Sequence, residues 1–201
     1  MRSSSKIATM ILAFLCFFTP DFIHSFAPGG FFQQFPNRYF VETGTWEGHG
    51  VLLADMAGCF QEIHTIELSE YYYQKNKIGE ANHTKPPVYV WFGDSGTVLG
   101  EVLKKMNEPA TIWLDAHYSG NDTAKGIGNT PILRELECIK NHPIKTHTIL
   151  IDDVRLFGTA EFDYITLDVV LEKLKEINPS YVISIADAQN SPRDILVARP
   201  K

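Results

Sequence analysis

Five apolar runs in this chain stop at a carboxylate. Glu42 closes RYFVE, Glu67 closes IHTIE, Asp94 follows VYVWFG, Asp115 closes TIWLD, and Asp152 and Asp153 close HTILIDD. Short apolar runs read as buried strands, and stretches with helical features separate them. Strand and helix in alternation predict an open α/β sheet, in which ligands bind outside the carboxyl ends of the strands. The carboxylates therefore share one edge of the sheet and face a common crevice.

The pattern predicts strands over 39–42, 62–67, 88–92, 111–115, 147–151, 181–186 and 195–198. Helices are expected over 50–57, from a Ser69 cap to Asn82, and from a Ser95 cap to Met106. Another opens with Thr130 as N-cap and Pro131 as N1. Tyr164, Leu167, Val170, Leu171, Leu174 and Ile177 recur at helical spacing and predict a helix with one buried face. The turn QNSPRD before the last strand is too short for a helical crossover, so the last two strands are antiparallel. A long polar, glycine-rich loop spans 117–129.

The 201 residues suffice for one domain with a substantial core. A net charge of -6 and the lack of any Lys/Arg block argue against a nucleic-acid partner. Cys16, Cys59 and Cys138 match neither a zinc motif nor a disulfide framework. Residues 1–25 stand apart: Arg2 and Lys6 precede IATMILAFLCFF, which has the form of a signal peptide or short signal-anchor. The alternative is an apolar N-terminal helix packed on the domain or a partner. The run is short for a membrane span, although residues 7–18 are suited to membrane contact. A signal would direct the chain to the secretory pathway or a membrane, and Asn82 and Asn121 would then head glycosylation sequons. Without one, the cytoplasm is expected. The FAPGGFFQQFPN stretch, within 26–37, reads as a linker and 38–201 as the domain.

The first turn, VETGTWEGHG, carries Gly44, Gly48 and Gly50, which permit close backbone approach to a ligand. It is neither a G-x-G-x-x-G fingerprint nor a Walker A loop. Glu67, ending the second strand, is placed to accept hydrogen bonds from a ribose diol. Glu42 either bonds a ligand ammonium or braces the loop. Asp94 either accepts from an adenine amino group, with Ser95 nearby, or caps a helix. Trp46 sits where it can cover a ligand, and Trp113 lies in a strand and reads as core.

These residues carry a resemblance. VETGTWEGHG, IHTIELSE, FGDSG, TIWLDAHYSG and TILIDDVRLFG resemble, in order and spacing, the motifs of class I S-adenosylmethionine-dependent methyltransferases over about residues 38–199. The first motif departs from E/D-x-G-x-G-x-G, since Trp46 and Glu47 precede Gly48. The resemblance implies a Rossmann-like, doubly wound seven-stranded sheet, mostly parallel with an antiparallel last strand. It implies that Glu42, Gly44, Thr45, Gly48, Glu67, Leu68, Asp94, Ser95 and Asp115 hold S-adenosyl-L-methionine.

Asp115, Asp152 and Asp153 form a second constellation. Crowded carboxylates repel, and a hard divalent cation relieves that cost. The set resembles that of metal-dependent sugar O-methyltransferases, which implies Mg2+ on Asp115, Asp152 and Asp153 and His117 as general base beside Asp115. A metal would lower the pKa of the attacked hydroxyl, and imidazole is suited to take its proton. The other readings are that Asp152 caps the next segment, that Asp153 pairs with Arg155 or Arg134, and that His117 bonds backbone. The expected function is an O-methyltransferase acting on a sugar, glycan or other small polar acceptor. The small domain leaves little room for an acceptor cap, so the acceptor binds openly or at a homo-oligomer interface. An NAD-type oxidoreductase and a non-catalytic cofactor-binding module of the same fold are the alternatives.

Overall fold

The computed structural model describes residues 26–80, 86–120 and 123–201. The expected signal-like segment 1–25 and the sequons at Asn82 and Asn121 lie outside them. The strands are β1 (Tyr39–Thr43), β2 (Glu62–Glu67), β3 (Val88–Phe92), β4 (Ala110–Leu114), β5 (Thr148–Ile151), β6 (Val182–Ala186) and β7 (Ile195–Arg199). The helices are α1 (His49–Ala57), α2 (Glu70–Glu80), α3 (Ser95–Leu103), α4 (Ile132–Asn141) and α5 (Leu167–Ile177). One sheet of seven strands results, ordered β3-β2-β1-β4-β5-β7-β6. Strands β1 to β5 pair in parallel, and β7 runs antiparallel to both β5 and β6. This is the seven-stranded, doubly wound arrangement that the sequence predicts.

Both faces of the sheet are covered, and the period-2 alternation of strand side chains divides the core accordingly. Val41, Ile112, Leu114, Ile149, Ile151 and Leu196 pack with Leu99 and Leu103 of α3, Leu136 and Ile139 of α4, and Val170, Leu174 and Ile177 of α5. The alternate residues Phe40, Trp113, Leu150 and Val197 pack on the other face with Val51 and Ala54 of α1. Burial on both faces is why the parallel strands read as unbroken apolar runs. Trp113 is a core residue, as expected.

The stretch 26–37 does more than connect. Phe31, Phe32 and Phe35 are buried around a short 3-10 turn, and the Phe32 ring lies 4.7 Å from that of Phe40 and 5.4 Å from that of Trp113. These residues form an N-terminal strap that completes one layer of the core. Helix starts also differ in detail. Asp94, not Ser95, caps α3 by accepting from the Gly96 N–H at 2.9 Å. Pro131 takes the cap position of α4, while Thr130 Oγ1 accepts from the Ile132 N–H at 3.3 Å. Tyr164 stands outside α5, 72% exposed and with φ +58°; the helical spacing holds only from Leu167 onward. Among the described residues no helix is long and apolar enough to cross a membrane.

Candidate functional site

Strand order reverses between β1 and β4, and a crevice opens there at the carboxyl ends of the strands, where the fold rule places ligands. It encloses about 640 Å³. Of the residues singled out by sequence, Gly44, Glu67, Leu68, Asp94, Ser95, Asp115, His117 and Asp153 line it. Glu42, Thr45, Gly48 and Asp152 do not.

The first loop is pinned at the crevice floor. The Gly44 N–H donates to Ile66 O at 2.9 Å, and φ is +80°. A Cβ at Gly44 would lie 2.7 Å from Asp115 O, so only glycine lets the β1 and β4 ends approach this closely. Glu67 ties the loop to β2: its Oε2 accepts from the Trp46 N–H at 2.8 Å and its Oε1 from the Ser69 N–H at 2.6 Å. Each carboxylate oxygen retains a second acceptor site. Trp46 itself has φ +44°, and its carbonyl accepts from Asn76 Nδ2 at 2.7 Å.

Glu42 lies behind this loop. It is 2% exposed and its Oε2 accepts from Thr65 Oγ1 at 2.6 Å, beside the buried Thr45–Thr65 hydroxyl pair. A Cβ on Gly50 would come within 1.7 Å of Glu42 Oε1, so the first turn of α1 rests directly on the carboxyl group. Burial pushes the Glu42 pKa up to about 8. With Thr45, Trp46, His49 and Asp115 it borders a second, small cavity.

Asp94 is held by two sets of donors. Besides capping α3, it takes a two-pronged pair from Arg134 of α4, at 2.9 Å and 3.1 Å. Its neighbour Ser95 donates to the buried Glu135 at 2.6 Å. Burial raises the Glu135 pKa to about 7. Two adjacent residues of α4 thus anchor the start of α3 on this side of the crevice.

The far side holds the acids and His117. His117 Nδ1 lies 3.2 Å from Asp153 Oδ2 and 4.0 Å from Asp115 Oδ1, while Nε2 lies 2.8 Å from Ser119 Oγ. The Phe162 ring packs against the imidazole, with centroids 5.3 Å apart. Asp153 has φ +60° and also forms an ion pair with Arg155 at 2.6 Å. Desolvation, then the charges of Asp152 and Asp153, hold the Asp115 carboxyl well above the usual range.

The acids form two groups of convergent donors among the described residues. One is Asp115, His117 and Asp153; the other is Asp152, Asp153 and Asp194. Asp115 and Asp152 belong to different groups. Asp152 is 2% exposed and neither carboxylate oxygen has a hydrogen-bond partner. Burial, and next the charge of Asp153, raises its pKa well above the usual range.

Asp194 escapes the reading by strand endings. It precedes β7, and because β7 is antiparallel, its start lies at the edge where the parallel strands end. There it accepts from the Arg155 N–H at 2.9 Å and pairs with the Arg155 guanidinium. The reversal of the last strand, itself legible, was the signal that could have found it. Phe26 is a second residue missed; it lies in the stretch read as linker and lines the crevice beside Trp46.

No family model and no curated protein sequence matches the chain. Solved structures do resemble it in fold. An O-methyltransferase from Bacillus cereus in complex with SAH is 18% identical, with 86% of this chain and 80% of that chain covered and a TM-score of 0.56. The O-methyltransferase TomG from Streptomyces achromogenes, in complex with SAM, is 16% identical, with 90% and 83% covered and a TM-score of 0.52. A putative rRNA-methylase from Clostridium thermocellum is 14% identical, with 84% and 92% covered and a TM-score of 0.57. The shared property is the methyltransferase-type, Rossmann-like sheet. Proteins with such different descriptions on one fold leave the acceptor to the site residues.

Proposed function

We propose that this chain is an S-adenosylmethionine-dependent O-methyltransferase acting on a hydroxyl of a sugar or other small polar acceptor. The observation that carries the reading is one crevice with two differently equipped sides. Glu67 and the Gly44 turn form one side, and the Asp153–His117 pair forms the other. The first side fits the cofactor: a glycine turn that admits no side chain, and a carboxylate with acceptor sites left for a diol. The fold's solved neighbours include proteins in complex with SAH or SAM.

The cofactor supplies a methyl group already activated by its sulfonium. The protein's part is alignment and proton removal. Asp153 Oδ2 lies 3.2 Å from His117 Nδ1, and a proton held on Nδ1 by that carboxylate leaves Nε2 as the basic atom. Ser119 Oγ stands at that atom, in the place an acceptor hydroxyl would take or relay through. Phe162 and Asp153 restrict the imidazole from two directions, and such positioning is a large part of general-base efficiency. Polar groups on Tyr118, Asn129 and Glu161 line the same crevice and suit a polyhydroxyl acceptor.

The donors fit a divalent cation only in part. Mg2+ prefers oxygen ligands, yet one donor group includes His117 and the other already meets the Arg155 guanidinium. The unpartnered oxygens of Asp152 support the cation reading.

Calorimetric titration of the full chain with S-adenosylmethionine, with and without Mg2+, tests the proposal. Saturable micromolar binding is expected. Folded protein that binds neither S-adenosylmethionine nor its demethylated product would overturn the reading, and NADH is the next titrant. Affinity or turnover unaffected by Mg2+ and by chelator would remove the cation.

A further inference from the structure

The strap that completes the core also reaches the crevice. Phe31, Phe32 and Phe35 anchor it, and Phe26 at its start lines the same crevice as Glu67 and Asp115. The Phe26 ring lies nearly parallel to that of Trp46, at 6.4 Å between centroids and 16° between planes, and 5.1 Å from His49. The Tyr72 ring of α2 lies 6.4 Å from that of Trp46, and Tyr72 lines the same crevice. The Phe26 carbonyl accepts from the Gln189 N–H at 2.8 Å, which holds the strap to the turn before β7.

We propose that Phe26 is a cofactor-binding residue: with Trp46 and Tyr72 it forms an aromatic wall against bound S-adenosyl ligand, so that cofactor occupancy and seating of the N-terminal strap favour one another. This rests on the methyltransferase reading above. The physical basis is twofold. Trp46 is the residue whose N–H bonds Glu67, so the element that meets the cofactor's ribose is the element that Phe26 packs on. Aromatic faces also attract planar bases and cations, and the cofactor presents both an adenine and a sulfonium. Linkage is reciprocal: whatever holds Phe26 in place raises cofactor affinity, and the cofactor in turn holds Phe26.

The test uses the full chain and S-adenosylhomocysteine. Phe26→Ala should raise its Kd about tenfold while the melting temperature of the ligand-free protein stays close to wild type, and Phe26→Tyr should restore binding. In the wild type, ligand should slow hydrogen exchange at the Gln189 amide, a measurement that needs no variant. Wild-type binding with an unchanged Kd in Phe26→Ala, or with unchanged exchange at Gln189, overturns the role of Phe26 and leaves the cofactor assignment standing. A wild type that fails to bind S-adenosylhomocysteine overturns both.

Discussion

The backbone N–H of Trp46 donates to Glu67 Oε2 at 2.8 Å, joining the glycine loop after β1 to the carboxylate that ends β2. The other Glu67 oxygen accepts from the Ser69 N–H just before α2. One carboxylate thereby fixes two segments bordering the crevice and keeps acceptor capacity for a ligand. Glu67→Ala strands both donors. Hydrogen bonds to charged groups contribute about 1.5–3 kcal/mol, so affinity for S-adenosylhomocysteine should fall about tenfold to a hundredfold. Equal affinity by calorimetry would contradict the role of Glu67.

Gly44 occupies a position that no other residue fits. Its φ is +80° and a Cβ would press on Asp115 O at 2.7 Å. Gly44→Ala should cost about 1–2 kcal/mol from the left-handed backbone alone, with the contact adding to it. A lowered melting temperature and loss of S-adenosylhomocysteine binding are expected. A variant that binds and melts like the parent would mean that the two strand ends need not approach so closely.

On the proposed reading, His117 and Asp153 serve the chemical step rather than cofactor binding. His117→Ala should lower kcat about 10²–10⁴-fold, the usual range for a general base, with S-adenosylhomocysteine affinity nearly unchanged. Asp153→Asn should also act on kcat rather than on cofactor affinity, because Asp153 touches the imidazole and Arg155. Release of S-adenosylhomocysteine across a panel of hydroxyl acceptors provides the assay. Undiminished turnover in His117→Ala would remove it as the base.

Glu135 makes stability depend on pH. Its folded pKa is raised from 4.5 to about 7 by burial, so the native state binds the proton more tightly than the unfolded chain. The stabilisation is complete below the unfolded value of 4.5 and is lost as pH rises through about 7. For a group 1% exposed the effect is on the order of 3 kcal/mol. Glu42, raised from 4.5 to about 8, acts in the same direction over a wider window. Below about pH 6.5 the buried His147, lowered to about 3, acts in the opposite sense, so the fall in melting temperature from these two acids should show between about pH 6.5 and pH 8. Glu135→Gln, which keeps an acceptor for Ser95 Oγ and does not titrate, should flatten that slope. An unaltered slope would place the dependence elsewhere.

The strands and their order of appearance were legible because burial on both faces leaves unbroken apolar runs, and because carboxylates mark where Glu67, Asp115 and Asp153 leave the sheet. The reversal of β7 was legible from the short turn before it. Side-chain packing decided the rest. Glu67 ends β2 and Glu42 stands one residue before the end of the neighbouring β1, yet Glu42 is sealed beneath Gly50 and Glu67 lines the crevice. Asp152 and Asp153 are adjacent, yet Asp153 meets His117 and Arg155 and belongs to both donor groups, while Asp152 belongs only to the one with Asp194. The strap escaped notice because FAPGGFFQQFPN has no period and its glycines and prolines read as a connector. Phe31 and Phe32 pack on Phe40 and Trp113, which are far apart in sequence and stand two register positions apart on the adjacent strands β1 and β4. Local pattern specifies which residues form an element and where it ends; which polar groups meet across elements is set by long-range packing, which no spacing in the chain encodes.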